Sequence, residues 1–151
     1  NLSLKKLSKN IKLDKFSIKE LLIISSLVEK EGKSIEDKKI ISSVIFNRLK
    51  KNMKLQIDAT VIYAITEGKE HLKRKLTYAD LKIIHPYNTY KIKGLPPGMI
   101  CYVSLSTLKL VLENTKSDFL FYFYNIIEKK HIFSKNYKEH LDNLNEYRKN
   151  K

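Results

Sequence analysis

Leu21-Leu-Ile-Ile-Ser-Ser-Leu-Val-Glu-Lys-Glu-Gly32 is a helical pattern that ends on two carboxylates. At about 100° per residue, Ile18, Leu21, Leu22, Ile23, Ile24, Leu27 and Val28 point on average to one side, opposite Lys19, Ser26 and Lys30. Glu31 falls nearer the apolar side and Glu29 on the flank. Glu31 is therefore expected against the body of the protein, where desolvation disfavours the charged form of a carboxyl group. It also stands at the negative end of the helix, where an exposed anion loses about 0.3–1 kcal/mol of stabilisation. Gly32 suits a left-handed C-terminal cap. Both effects at Glu31 favour a protonated acid. The plain alternative is that Glu29 and Glu31 are solvated residues of a last turn, as most glutamates are.

A chain of 151 residues with 42% hydrophobic content fits one globular domain with a sizeable core. No apolar run approaches the roughly 18 residues that span a bilayer, and no signal peptide is visible. The chain opens on Asn, so a fragment is expected, with any leader or membrane anchor lying before Asn1. Cys101 is alone, which excludes an intramolecular disulfide and a cysteine zinc site. No metal or other cofactor is expected. The net charge of +14 points to an acidic partner: nucleic acid, an anionic membrane surface or a carboxylate-bearing polymer. Arg48, Arg74 and Arg148 are the only arginines, however, and phosphate recognition favours the guanidinium fork. An AT-rich genome also yields abundant Lys, Ile and Asn together, so charge alone does not assign a nucleic-acid surface.

Residues 1–16 read as a linker or the tail of a preceding domain, and 17–151 as the functional domain. Ser17 and Glu20 form a capping-box pattern for the first helix, and Ser34-Ile-Glu-Asp37 repeats the signal for a second with an apolar face of Ile40, Ile41, Val44, Ile45 and Leu49. The short gap between them predicts a tight helical pair. Arg48, near the end of the second helix, suits terminal carbonyls or a neighbouring carboxylate. Leu55-Gln-Ile-Asp58 reads as extended, and Asp58 as the cap of a brief helix over 59–65. Residues 67–75 read as a surface loop, and Thr77-Tyr-Ala-Asp80 caps a short helix through Ile84. All three prolines and two of the four glycines fall in residues 85–98, a fixed non-helical path that is either a binding wall or a rigid connector. Ser104 or Ser106 starts a helix through Leu112. Phe119-Leu-Phe-Tyr-Phe-Tyr124 reads as a buried strand pairing with Ile132-Phe133, and a Lys- and Asn-rich helix over 135–149 closes the chain. The fold class is α+β: mainly helical, with a small β-sheet.

Six motifs in order carry a resemblance: Ser25-Ser-Leu-Val-Glu-Lys-Glu31, Ser43-Val-Ile-Phe-Asn-Arg-Leu49, Met53-Lys-Leu-Gln-Ile-Asp-Ala-Thr-Val-Ile-Tyr63, Pro86-Tyr-Asn-Thr-Tyr90, Gly94-Leu-Pro-Pro-Gly98 and His131-Ile-Phe-Ser134. Together they resemble the catalytic domain of the YceG-like family of endolytic murein transglycosylases, over roughly Ser17 to Leu144. The resemblance implies internal cleavage of peptidoglycan glycan strands in cell wall assembly. It places the enzyme on the outer face of the cytoplasmic (inner) membrane, held by a single N-terminal helix, with cell-wall synthesis proteins as possible partners of the full-length protein and no nucleic acid. It also implies that Glu31, the second glutamate of Glu-Lys-Glu, is the catalytic acid at a helix end, a lysozyme-like placement. The family usually has Pro at Ala59, Thr at Ile57, Asn-Pro-Gly near Tyr102-Val-Ser104 and a Gly pair at Lys129 and Lys130. Those departures bear on loop conformation more than on the acid.

The chemistry fits one carboxyl group. Ordinary glycosidases need two carboxylates. A lytic transglycosylase uses the muramic C6 hydroxyl as nucleophile, and a tethered group reaches effective molarities of roughly 10⁵–10⁸ M. Glu31 would protonate the leaving oxygen and then accept the C6 proton. Gln56, Tyr87, Asn88, Thr89, Tyr90 and Ser134 are the candidate substrate-binding residues. Asp58 reads first as a helix cap and second as an additional carboxylate, a role also open to Glu29. His131 is expected to be structural or to position substrate, since it has no partner at zinc spacing. The alternatives are a lysozyme-like hydrolase using Glu31 with Asp58 or Glu29, and a basic nucleic-acid-binding module.

Overall fold

The computed structural model describes residues 15–151, so the expectation for residues 1–16 falls almost wholly outside them. Helix α1 spans Ile18–Glu31 and is opened by the capping box: the Ser17 N–H donates to Glu20 Oε2 at 2.7 Å and the Glu20 N–H to Ser17 Oγ at 3.1 Å. Residues Ile23 to Val28 are all buried. Ser26, expected on the polar side, is among them, because its hydroxyl donates to Ile23 O at 2.7 Å and accepts the Ile100 N–H at 3.2 Å. The helix is thus a central strut walled on most sides.

Gly32 does not form the expected left-handed cap. Its φ is −80° and ψ 139°, extended backbone, while its N–H donates to Val28 O at 2.9 Å and the chain turns at once into α2, Ile35–Lys50. The reason for glycine is steric: a Cβ here would collide with Lys38 Cγ. Ser34 caps α2, accepting the Asp37 N–H at 3.1 Å, and α2 packs on α1 as the tight pair expected.

Helix α3 spans Asp58–Thr66. Its N-cap is Ile57, and no side chain caps it, which corrects the reading of Asp58 as a cap. Residues 80–82 form a single 3₁₀ turn rather than a helix through Ile84. Helix α4, Leu105–Glu113, starts at Ser104, whose hydroxyl accepts the Thr107 N–H at 3.3 Å.

Strands β1, Phe121–Asn125, and β2, Lys130–Ser134, form an antiparallel pair in which Tyr122 faces Phe133, Phe123 faces Ile132 and Tyr124 faces His131. Most β1 residues are half-buried rather than enclosed, because α5, Tyr137–Asn150, covers one face and has no buried residue itself. The core gathers Ile24, Leu27 and Val28 of α1, Ile41 and Ile45 of α2, Leu55 and Ile57 before α3, and Leu110 and Val111 of α4. The described residues make one mainly helical α+β body built around α1. None of its helices is long and apolar enough to cross a membrane.

Candidate active site

Where α1 ends, its two carboxylates part company. Glu29 is held by three donors: Lys38 Nζ at 2.7 Å, Thr107 Oγ1 at 2.5 Å and the Ser104 N–H at 2.9 Å. Partial burial pushes its pKa up, but these charge-assisted bonds outweigh that and hold it at about 2. A carboxylate so fixed is an anion that locks the end of α1 to α2 and α4.

Glu31 turns the other way, toward the start of α3 and the β-hairpin. Burial pushes its pKa up and the neighbouring Asp58 carboxylate pushes it further. The Tyr122 hydroxyl, the Ala59 N–H and the Lys33 amine pull it down, and the balance lies at about 7. Its carboxyl sits between the negative end of α1 and the positive end of α3, so the two helix dipoles oppose each other there. The result is a group able both to hold and to release a proton near neutrality.

Asp58 is exposed and accepts a 2.5 Å hydrogen bond from Tyr90 Oη. The Tyr90 phenol is pushed well up, by burial first, then by that bond and by the Asp58 and Glu31 charges, so it remains a donor. Beneath lies Arg48, buried without a carboxylate partner among the described residues. Its Nε donates to Leu120 O at 2.7 Å and its Nη1 to Lys54 O and Leu55 O at 3.0 and 3.1 Å, and its guanidinium lies 5.0 Å from the centre of the Phe121 ring. Burial lowers its pKa, while Tyr122 and Tyr90 favour its charge. Arg48 thereby ties the hairpin to the segment before α3.

Of the expected substrate-binding residues, Gln56 is exposed and holds φ at +52°, a left-handed conformation that is rare outside glycine. Its N–H donates to Thr89 O at 3.2 Å. Tyr90 reaches the site. Asn88 and Thr89 do not present free side chains. Asn88 has no exposed surface, donates through Nδ2 to Leu81 O and Ile83 O at 3.0 and 2.7 Å, and accepts the Tyr90 N–H at 3.0 Å. Thr89 Oγ1, equally enclosed, accepts the Ile57 N–H at 2.9 Å and shares a 2.8 Å bond with Thr60 Oγ1. Both residues brace the loop that aims Tyr90. Tyr87 packs on Tyr63 of α3 with ring centres 4.6 Å apart. Ser134 is buried at the end of β2 and accepts from Asn143 Nδ2 at 3.0 Å, in the joint between hairpin and α5. His131 Nδ1 lies 2.7 Å from Asp37 Oδ2, and its ring packs against Tyr122 and Tyr124.

The sequence alone does not mark Tyr122, Arg48 and Lys38 as parts of the site. A hydroxyl in the otherwise apolar run Phe119–Phe123 was the only signal for Tyr122, and nothing in the spacing of Lys38 pairs it with Glu29.

The chain matches the YceG-like family over residues 2–146, nearly its whole length. It belongs to the YceG-like family. Over 130 residues, 86% of the chain, it is 42% identical to the endolytic murein transglycosylase of Bacillus subtilis strain 168, and over 142 residues, 91% of the chain, 38% identical to that of Streptococcus pneumoniae D39. It spans 35% and 25% of the length of those two relatives. The crystal structure of a YceG-like protein from Listeria monocytogenes superposes with a TM-score of 0.81 at 40% identity, covering 93% of this chain and 45% of that one. The six motifs of the sequence thus lie on a fold shared with that YceG-like structure.

Proposed function

We propose that residues 17–151 form a peptidoglycan-cleaving domain acting as a lytic transglycosylase on the β-1,4 bond between muramic acid and glucosamine, within glycan strands. The names of the Bacillus and Streptococcus relatives support the substrate class. The observation that carries the reading is the half-buried Glu31 carboxyl at the end of α1, set against the Tyr122 hydroxyl and the Ala59 N–H and raised to a pKa of about 7. In the proposed step, Glu31 gives its proton to the leaving glycosidic oxygen as the C1–O bond breaks. The muramic C6 oxygen then closes on C1, and the Glu31 carboxylate takes the C6 hydroxyl proton. No water is consumed. Asp58, held in place by Tyr90, stabilises positive charge developing on the sugar ring. Gln56 and Tyr90 are the side chains placed to meet sugar hydroxyls, and Asn88 and Thr89 support them from behind. In the full-length protein this domain acts in cell wall assembly at the outer face of the cytoplasmic membrane, anchored by a preceding segment and alongside cell-wall synthesis proteins.

Digestion of purified peptidoglycan followed by mass spectrometry tests the reading. The expected product ends in 1,6-anhydro-N-acetylmuramic acid, which borohydride does not reduce. The closeness of Asp58 to Glu31 favours one second reading, a hydrolase in which Asp58 is the other carboxylate. Reducing ends, heavier by one water, would replace the first reading with the second.

A further inference from the structure

A cleft of about 760 Å³ runs along the outer side of α3 from Ala59 to Thr66 and on to the loop carrying Glu70. Glu31 does not line it, but Ala59, whose N–H faces the Glu31 carboxyl, does, and so does Lys30. One end of the cleft therefore abuts the reacting centre, and the other lies beyond the C-terminus of α3.

Its charges sort into used and unused. Lys69 pairs with Glu67 at 3.1 Å and Arg74 with Asp80 at 2.6 Å. Lys30, at the Glu31 end, and Glu70, at the far end, have no ion-pair partner among the described residues. The lining also carries two tyrosines, Tyr63 on α3 and the almost fully exposed Tyr102, which stands near the end of α1 beside Lys30. Seven residues of helix separate Ala59 from Thr66, about 10 Å at 1.5 Å per residue. Three residues of extended peptide cover about the same distance. A cleft of that length, with a cation next to the reacting bond and an anion at its far end, fits a short peptide bearing carboxylates near its root and an amine further out. Peptidoglycan carries such peptides on the lactyl group of the muramic sugar, the sugar that Glu31 would act on.

We infer that this cleft takes the peptide branch of the muramic residue, with a carboxylate on Lys30 and an amine on Glu70, so that the domain favours peptide-bearing over bare glycan. The inference rests on the glycan-cleaving reading above.

The test compares kcat/KM on glycan strands with their peptides intact and on the same strands stripped by an amidase. The expected result is a preference on the order of tenfold for peptide-bearing strands, the worth of one good polar contact. Lys30→Ala and Tyr102→Ala should each bring the ratio of the two rates toward one, and the exposure of Tyr102 keeps its variant folded. Equal wild-type rates on both substrates, or variants that leave the ratio unchanged, overturn the inference and leave glycan cleavage standing. Cleavage of neither substrate overturns the glycan-cleaving reading and the inference with it. A turnover-free check titrates the soluble peptide into the protein by NMR: shifts confined to Lys30, Glu70, Tyr102 and their neighbours support the cleft, and their absence overturns it.

Discussion

Two glutamates separated by one lysine have opposite electrostatic fates, and pH should tell them apart. Glu31 is raised from 4.5 to about 7, so the folded state holds its proton more tightly than the unfolded chain. Its contribution to stability is full below about pH 4.5 and is lost as pH rises through about 7. Glycan cleavage, which needs the protonated acid, should decline over that same upper limb. Glu31→Gln should reduce cleavage by about 10³-fold or more with the circular dichroism unchanged, since the amide cannot supply an acidic proton. Its melting temperature relative to wild type should rise between pH 5 and pH 8, because only the wild type must bury a charge there. Glu29, lowered to about 2, has the reverse linkage: its stabilisation is present above about pH 4.5 and lost as pH falls toward 2. Glu29→Gln should thus lower stability by about 1–3 kcal/mol through its lost charge-assisted bonds while leaving the pH limb near 7 in place. Loss of that limb in Glu29→Gln and its retention in Glu31→Gln would reverse the assignment.

At the scale of elements, the joints between helices rest on few groups. Gly32 leaves space for the Lys38 stem on its way to Glu29. Gly32→Ala should lower stability by about 1–3 kcal/mol, as overpacking does, and a melting curve at neutral pH will read it. Asn88→Ala should unseat the 85–98 loop by leaving the Leu81 and Ile83 carbonyls without their donor, a loss of about 1–3 kcal/mol seen as a lower melting temperature. Unchanged stability with lost cleavage would instead make Asn88 a direct substrate ligand. Local signals in the sequence were faithful at the Ser17–Glu20 box and the Ser34 and Ser104 caps, and the β1–β2 pairing is where the pattern put it, whereas Gly32 does not cap α1 in the left-handed way. They misled where a distant group competed. The Asp58 carboxylate turns to Tyr90 instead of capping α3, and Ser26 faces Ile100 instead of solvent. The turn of Glu31 toward the body of the protein follows the helical phase, whereas the clamp on Glu29 was not legible, since Lys38 and Thr107 arrive from two other helices.

The whole chain carries a net charge of +14, and its domain is proposed to meet an acidic polymer. Binding to insoluble peptidoglycan should weaken as salt rises from about 0.1 to 1 M, where the screening length falls from about 10 to 3 Å. Sedimentation with purified wall material measures this, and salt-independent binding would make the lysines incidental. The residues around the acid come from four separate places, Glu31, Asp58, Tyr90 and Tyr122, each about thirty residues from the next. Contacts between such distant positions require large loops to close, which is slow compared with forming α1 or the hairpin. In refolding from denaturant, helical signal should therefore return before catalytic competence, and no proteolytic piece lacking either end of this span should regain activity. The acid is borne by the earliest of the four in the chain, but its surroundings are complete only after the last has arrived.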